Sequence, residues 1–166
     1  MSTNKEFMTK YGYEKLAKEI DFFRSHERPK TVVELDYARS LGDLKENAEY
    51  HAAKERLAFI DSKIAELSDM LSRAEVVDPA VFPHKKVSFG STVKLLDLDT
   101  EVENSYTIVG APESDPDKGL ISYASPLAKQ LIGKATGDEV KAQFGIRSVE
   151  FEILDVSYKP IEGVLG

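Results

Sequence analysis

Residues 42–54, GDLKENAEYHAAK, decide the fold, because a long helical hairpin is predicted to reverse direction there. Asp43 and Glu46 are three residues apart, and residues at this spacing share a helix face with Cβ atoms about 5–6 Å apart. Asn47 and Tyr50 fall on nearly the same face, and Tyr50 is expected to be a packing residue that closes the tip. The two carboxylates can therefore converge on one point, which suits a divalent cation.

Two readings of this acidic pair remain open. Asp43 after Gly42, with an acid three residues later, is also a variant of the capping box that starts a helix. As a cation site the pair is incomplete, because Mg²⁺ requires near-octahedral oxygen coordination at about 2.0–2.1 Å. If Asp43 and Glu46 bind Mg²⁺, another molecule must complete the site.

Apolar residues at steps of three and four predict the two arms of the hairpin. The second arm carries this seam at Leu57, Ile60, Ile64, Leu67, Leu71 and Ala74. The first arm carries it at Tyr13, Leu16, Ile20 and Phe23, and again at Val33, Tyr37 and Leu41. Pro29 lies in the gap and lacks an N–H, so a kink or break is expected near Glu27 and Arg28.

The second half of the chain has the pattern of a β-rich domain. Strands are predicted at residues 87–89, 91–96, 106–109, 120–123, 139–142 and 149–156. One short helix is predicted from Pro126 to Ile132, stopped by Gly133. The fold class is therefore α+β, with a hairpin over residues 1–77, a linker over 78–83, a globular domain over 84–158 and a loose tail over 159–166.

Composition excludes several classes of protein. The 166 residues are 42% hydrophobic and 31% charged, which is typical of a chain with a real core and unlike a disordered one. Cysteine is absent, which excludes disulfides and thiolate chemistry. We find no secretion signal and no apolar run of the ~18 residues that a membrane span needs, so a cytoplasmic location is expected.

Motifs for self-contained catalysis are also absent from the sequence. There is no phosphate-binding glycine loop and no framed serine nucleophile. His26, His51 and His84 have no ligand spacing between them and are expected at the surface. The net charge of -7 argues against a protein that coats free nucleic acid. Arg39, Lys54 and Arg56, near the tip, remain candidates for contact with a phosphate backbone.

Four blocks of sequence resemble the bacterial Gre transcript-cleavage factors. The blocks are the tip and residues 87–93 (VSFGSTV), 106–110 (YTIVG) and 121–134 (ISYASPLAKQLIGK). The resemblance runs from about Phe7 to Tyr158, with the blocks in the family's order. It implies an N-terminal antiparallel coiled coil followed by a C-terminal domain of FKBP-like fold.

The resemblance also implies a function that depends on a partner. Gre factors bind RNA polymerase through the globular domain, and the hairpin enters the secondary channel. Asp43 and Glu46 match the acidic pair that helps to hold Mg²⁺ in the polymerase active site and to cut backtracked RNA. The protein would then be no enzyme itself, would bind no cofactor alone and would share Mg²⁺ with the polymerase. We expect a monomer.

Other positions match the family with less specificity. Arg39 and Lys54 correspond to basic residues thought to face the RNA 3′ segment, although solvated helix charges are an equal alternative. Asn47, Tyr50 and Arg56 are also expected to contact RNA or polymerase. Ser122, Ser125 and Pro126 fall in the block that resembles the polymerase-docking surface. Ser-Pro is also an ordinary turn before a helix, so both readings remain.

The same residues allow three other functions, and they favour one of two branches of the family. A polymerase inhibitor of this fold would have an altered acidic tip, and this chain does not. A coiled-coil adaptor would use the acids only as a cap. A prolyl isomerase or chaperone would need an aromatic-lined pocket, and the second half has no Trp and few Phe. The slightly acidic first half favours the branch of the family that releases short 3′ fragments over the branch with a larger basic patch.

Overall fold

A computed structural model describes residues 4–162, which form two compact units. Within this range the first unit contains Asn4 and residues 14–74, and the second contains residues 5–13 and 75–162. The sequence assigned residues 1–77 to the hairpin, but residues 5–13 group with the globular unit. The reason is a long-range contact: Met8 is fully buried, and the backbone N–H of Thr9 donates to Glu113 at 2.7 Å.

Four α-helices and seven β-strands make up the described chain. The helices are α1 (Lys10–Phe22), α2 (Arg28–Ser40), α3 (Ala48–Ser72) and α4 (Pro126–Leu131). The strands are β1 (Glu6–Met8), β2 (Ala74–Val76), β3 (Ser91–Asp97), β4 (Glu103–Val109), β5 (Leu120–Ser122), β6 (Glu139–Phe144) and β7 (Arg147–Tyr158). No helix between residues 4 and 162 is long and apolar enough to cross a membrane.

A π-helical segment, Phe23–Glu27, separates α1 from α2. Pro29 has no N–H to donate, and its ring crowds the carbonyl one turn earlier. The backbone relaxes into the wider turn, in which the N–H of Arg28 bonds to the carbonyl of Phe23, five residues back. The kink or break predicted near Glu27 and Arg28 is therefore a local change of hydrogen bonding, and the helical backbone continues through it.

The first unit is an antiparallel helical hairpin. Polar contacts join its two arms in opposite order along the chain, at Arg24–Ser68 (3.0 Å), Arg28–Asp61 (2.7 Å) and Arg56–Glu34 (2.8 Å). Between the arms, α3 buries residues of its predicted seam, including Ile60 and Leu67, which are 3% and 6% exposed. Helix α3 therefore follows its sequence pattern.

Helix α2 does not follow its predicted seam. Val33, Tyr37 and Leu41 are more than half exposed, and the buried residues are Thr31, Leu35 and Ala38. Continuing the α1 series in the same steps reaches positions 30, 34 and 37. The wider π turn adds one residue, which moves the buried positions to 31, 35 and 38, because each residue turns a helix by about 100°.

The second unit is built on a five-stranded sheet of order β5-β4-β3-β7-β6. All neighbours pair antiparallel except β4 and β5, which are parallel, and β3 carries an irregularity between Lys94 and Leu95 against β7. Helix α4 packs on the sheet through Leu127, Ala128 and Leu131. A separate two-stranded sheet pairs β1 with β2, neither of which was predicted.

The predicted linker over residues 78–83 is partly packed. A 3₁₀ turn, Pro79–Val81, begins where the Asp78 side chain accepts from the N–H of Ala80, and Pro79 is buried.

His84 was predicted at the surface, and this was wrong. It is 6% exposed, and its ring stacks on Tyr158 with 4.8 Å between centroids. Nε2 lies 2.7 Å from the carbonyl of Pro79 and must carry the proton, because a carbonyl only accepts. Nδ1 lies 2.6 Å from the Ser91 hydroxyl. Burial, with Asp78 and Glu162 nearby, also raises the pKa of Tyr158.

Two further expectations need correction. Residues 87–89 do not form a strand; Val87 instead exchanges backbone hydrogen bonds of 2.8 Å with Gly133 and Lys134 in a loop. The predicted loose tail contains a packed residue, since Ile161 is 7% exposed and joins Val109 and Leu120 in a small apolar cluster. The rest of that tail, residues 163–166, lies outside the described residues.

Candidate functional site

The tip of the hairpin reverses through a short turn with left-handed backbone. Helix α2 ends where the N–H groups of Leu41 and Gly42 donate to carbonyls of its last turn, at 3.2 Å each. Gly42 and then Asp43 have positive φ, 79° and 49°. Asp is one of the few residues besides glycine that enters this region. A backbone bond of 3.1 Å from Glu46 N–H to the Asp43 carbonyl closes the turn.

Asn47, and not Asp43, caps α3. Its side-chain oxygen accepts from the N–H of Tyr50 at 3.0 Å, and its backbone is extended. The helix therefore begins at Ala48, four residues later than a cap at Asp43 would allow. The capping reading of Asp43 and the reading of Asp43 and Glu46 as a pair on a helix face were both wrong.

Asn47 also holds the two arms together at the tip. Its amide nitrogen donates to the carbonyl of Ala38 at 2.7 Å and is 3.4 Å from that of Gly42. The Ala38 carbonyl is in the last turn of α2 and also accepts from the N–H of Leu41, and Gly42 lies just beyond the helix. One side chain thus satisfies the end of one helix and the start of the next.

The turn brings Asp43 and Glu46 together although it is not helical. Both residues are exposed, and both line one shallow depression with Asn47 and Ala48. Within residues 4–162, neither carboxylate has a hydrogen-bond or ion-pair partner. The chain thus presents two free carboxylates at the point of the hairpin farthest from its ends.

This pair has the donor chemistry for Mg²⁺ but not the number of donors. Carboxylate oxygens are the ligands that Mg²⁺ prefers, and two of them leave most of an octahedron unfilled. Among residues 4–162 there is no group of three or more His, Asp or Glu side chains that could hold a metal ion. A metal at this tip would need oxygen ligands from elsewhere.

The candidate basic residues differ in how they are engaged. Arg39 is exposed, with Nη1 at 3.4 Å from Asp36. Lys54 places its Nζ 5.9 Å from the centroid of the half-buried Tyr50 ring. Arg56 makes the 2.8 Å bond to Glu34 across the hairpin. Arg39 thus has a longer ion pair within its own helix and Lys54 lies near an aromatic ring, whereas Arg56 makes a short bond between the two arms.

His51 is a tip residue whose contact with the acidic turn was not predicted from the sequence. Its exposure agrees with the surface prediction, but its Nε2 lies 3.1 Å from the carbonyl of Lys45, inside the acidic turn. The signal was its position: a residue four after the cap lies one helical turn above it and faces back toward the turn.

The proposed docking residues lie at the start of α4. Ser125 caps this helix by accepting from the N–H of Ala128 at 3.3 Å, and Pro126 is its first residue. Ser125 and Pro126 therefore form the ordinary turn before a helix that was one of the two alternatives for this pair. Ser125 and Pro126 also line a cavity of about 380 Å³ with Tyr106 and Phe144. Ser122 does not line it and instead accepts from the N–H of Ala124.

Comparison with known proteins gives matches over both units. The family description "Transcription elongation factor, N-terminal" matches residues 6–76, and "Transcription elongation factor, GreA/GreB, C-term" matches residues 82–158. The transcription elongation factor GreA of a Nitratiruptor species is 60% identical over 158 residues, 95% of this chain and 96% of that protein. The GreA of Wolinella succinogenes is 60% identical over 157 residues, 95% of this chain and 97% of that protein. Among solved structures, GreA factor homolog 1 of Thermus thermophilus is 27% identical and covers 93% of this chain and 99% of its own, with a TM-score of 0.44.

Proposed function

The chain belongs to the GreA/GreB family of transcription elongation factors, and from this premise we propose that it stimulates cleavage of backtracked RNA by bacterial RNA polymerase. The observation that carries the proposal is the pair of exposed, unpartnered carboxylates at the hairpin tip. The hairpin would enter the secondary channel, and the reaction would take place in the polymerase active site, in the bacterial cytoplasm.

The chemistry of the tip supports delivery of ligands to a shared metal. The shared Mg²⁺, when bound in the polymerase active site, would lower the pKa of its water ligand and offset negative charge at the phosphorus of the RNA. Asp43 and Glu46 would supply two of its oxygen ligands, and the polymerase and RNA the rest. The incompleteness of the pair is then a requirement of the mechanism, because a complete cage on the hairpin would leave no position for water or substrate.

The absence of partners for the two tip carboxylates also favours metal binding. A carboxylate already bonded to Arg or Lys would have to break that contact before it bound a metal. Neither Asp43 nor Glu46 faces that competition in the described chain, whereas Glu34, on the flank of the same hairpin, is bonded to Arg56. The two tip carboxylates are therefore free to bind a metal ion, whereas the Glu34 carboxylate would first have to leave Arg56.

The basic residues have a smaller proposed part. Arg39 and Lys54 are exposed and would face the phosphates of the RNA 3′ segment. With a net charge of -7, the protein would rely on the polymerase for binding and would use these residues for local alignment. Asn47 and Tyr50 were predicted to contact RNA or polymerase, and their bonds in the structure support a role in shaping the tip.

The second unit is proposed as the FKBP-like domain that docks on the polymerase. Support comes from the cavity beside α4, in which Ser125 and Pro126 are joined by Tyr106, Ile121, Leu127 and Phe144. Phe144 is 48% exposed, so about half of its surface is open to a partner at the edge of this cavity. Aromatic side chains at the edge of a pocket are the usual anchors of protein interfaces.

The test is RNA cleavage in a purified, backtracked bacterial transcription complex with Mg²⁺. We expect the wild-type protein to release a short 3′ fragment rapidly. The Asp43→Asn, Glu46→Gln double variant should cleave slower by on the order of 100-fold, the size of loss that follows removal of one electrostatic contact to a transition state. Asn and Gln keep the shape of the side chains and remove only the charge.

A matched control separates the tip from charge in general. Glu55 is an exposed carboxylate further along α3, and Glu55→Gln should cleave like the wild type at equal polymerase occupancy. Polymerase binding without stimulated cleavage by the wild type would instead identify an inhibitor or a docking adaptor. Equal cleavage by the wild type and the double variant would show that the carboxylates do not act.

A further inference from the structure

We propose that His51 is a positioning residue, which holds the acidic turn in the geometry that presents Asp43 and Glu46 together. The inference rests on the proposed function, because it concerns how the tip carboxylates are aimed. The contact that points to it is the 3.1 Å approach of His51 Nε2 to the carbonyl of Lys45. Lys45 lies inside the turn, between the two acids.

The turn has little else to hold it. Leu41 and Gly42 bond back to α2, and the Asn47 amide is 3.4 Å from the Gly42 carbonyl. From Asp43 onward the described backbone bonds of the turn are the 3.1 Å bond from Glu46 to Asp43 and a long one of 3.4 Å from Asn47 to Leu44. Residues 41–46 are all exposed, so water competes for every backbone group. A side chain that binds the middle of this segment therefore has a large share in fixing its shape.

His51 is itself well anchored. Its own N–H donates to the carbonyl of the cap residue Asn47 at 3.2 Å, within the first turn of α3. Its ring lies 5.5 Å from the ring of Tyr50, which is half-buried. The imidazole thus extends from a fixed helix end to a turn that has few bonds of its own.

The bond also determines which ring nitrogen carries the proton. A carbonyl oxygen only accepts, so Nε2 must carry hydrogen whether the ring is neutral or charged. Gln places an amide nitrogen the same number of bonds from Cβ and can make the same donation. Phe keeps the ring and its packing on Tyr50 but has no donor. These two replacements separate the hydrogen bond from the ring.

The consequence for function is a loss of alignment rather than of binding. Metal ligands and catalytic groups must be held within a fraction of an ångström, and a misplacement of about 1 Å can lower a rate by on the order of 100-fold. Because the turn keeps its own backbone bonds, we expect a smaller loss here, about 5- to 20-fold.

The experiment compares cleavage by the wild type, His51→Phe and His51→Gln at saturating concentrations of the factor. We expect His51→Phe to lower the cleavage rate about 5- to 20-fold and His51→Gln to restore it to within about 2-fold of wild type. The concentration that gives half-maximal stimulation should not change. A wild-type rate for His51→Phe, or a failure of His51→Gln to restore the rate, would overturn the proposal.

Two further measurements exclude a merely structural effect. In the Asp43→Asn, Glu46→Gln background, His51→Phe should cause no additional loss, because there is no carboxylate pair left to aim; an additive loss would contradict positioning. In the isolated protein, ¹⁵N NMR of the ring should show hydrogen on Nε2 of His51, and a neutral ring protonated on Nδ1 would also overturn the proposal. Failure of the proposed function is distinguishable, since the wild type itself would then not stimulate cleavage.

Discussion

Carboxylates occupy two opposite environments in this chain. Asp43 and Glu46 at the hairpin tip are exposed and unpartnered, whereas Glu113 in the globular unit is 1% exposed. Glu113 accepts from the N–H of Thr9 at 2.7 Å, from the Thr9 hydroxyl and from the N–H of Gly110 at 3.3 Å. The same functional group therefore supports the fold at Glu113, and we propose that at the tip it serves a partner molecule.

The surroundings of Glu113 explain why it is tolerated in the core. Thr9 precedes α1 and its hydroxyl accepts from the N–H of Gly12, so Glu113 lies at the positive end of that helix. A side chain at position 12 would collide with the carboxylate, so only glycine fits there. A buried charge with this many donors stabilises, while a buried charge without them would be costly.

The largest effect on stability is expected at Glu113. Glu113→Ala removes the acceptor of buried donors and should lower the free energy of unfolding by about 3 kcal/mol. Glu46→Ala, the same substitution at the exposed tip, should change it by less than about 0.5 kcal/mol. Urea denaturation of both variants measures the difference. A loss below about 1 kcal/mol for Glu113→Ala would mean that water replaces the carboxylate and that the contrast between the two sites is one of exposure only.

A second pair of variants extends the contrast to apolar residues of the hairpin. Leu35 is 8% exposed and Leu41 is 57% exposed, although the sequence pattern placed Leu41 in the seam. Leu35→Ala should lower the free energy of unfolding by about 2–3 kcal/mol. Leu41→Ala should lower it by less than about 0.5 kcal/mol. Thermal unfolding followed by circular dichroism measures both, and equal losses would show that the predicted seam is the buried one.

This pair also shows how far periodicity predicts the fold. Both arms, the reversal and an irregularity just before Pro29 were predicted from apolar spacing and proline chemistry. The face that α2 buries was not, because one extra residue in the π turn rotates everything after it. The sequence shows where regular α-helical hydrogen bonding must be interrupted, but not whether a kink or a π turn results.

The candidate site was also predicted only in part, because contacts between distant residues decide its geometry. The acidic pair was identified, although from a helical spacing that the turn does not have, and Asp43 and Asn47 are both ordinary cap residues at plausible positions. The bond from Asn47 to Ala38, nine residues away across the reversal, favours Asn47. Glu113 was not identified at all, because its partner Thr9 is 104 residues away. Contacts of this kind have no local signature.

Asn47 gives the next effect in size. Asn47→Ala removes both the cap of α3 and the bond to Ala38 and should lower the free energy of unfolding by about 1.5 kcal/mol. Asn47→Asp keeps the acceptor for the N–H of Tyr50 but has no donor for the Ala38 carbonyl, so about half of that loss is expected. Urea denaturation distinguishes the two. If Asn47→Asp is as stable as wild type, the bond across the tip contributes nothing and the cap is the whole role of Asn47.

The smallest effect is expected from the backbone at Asp43. With φ of 49°, this residue is in the left-handed region, which is unfavourable for Ala and free for Gly. Asp43→Ala should therefore be less stable than Asp43→Gly by about 0.5–1 kcal/mol, after allowance for the larger entropy of glycine in the unfolded chain. Asp43→Asn should match wild type, because Asn enters this region readily. Thermal unfolding of the three variants measures the order, and an Asp43→Ala variant as stable as Asp43→Gly would mean that the turn changes shape when the carboxylate is lost. The order also decides which variant tests function: Asp43→Asn removes the charge alone, whereas Asp43→Ala removes the charge and strains the turn that holds Glu46.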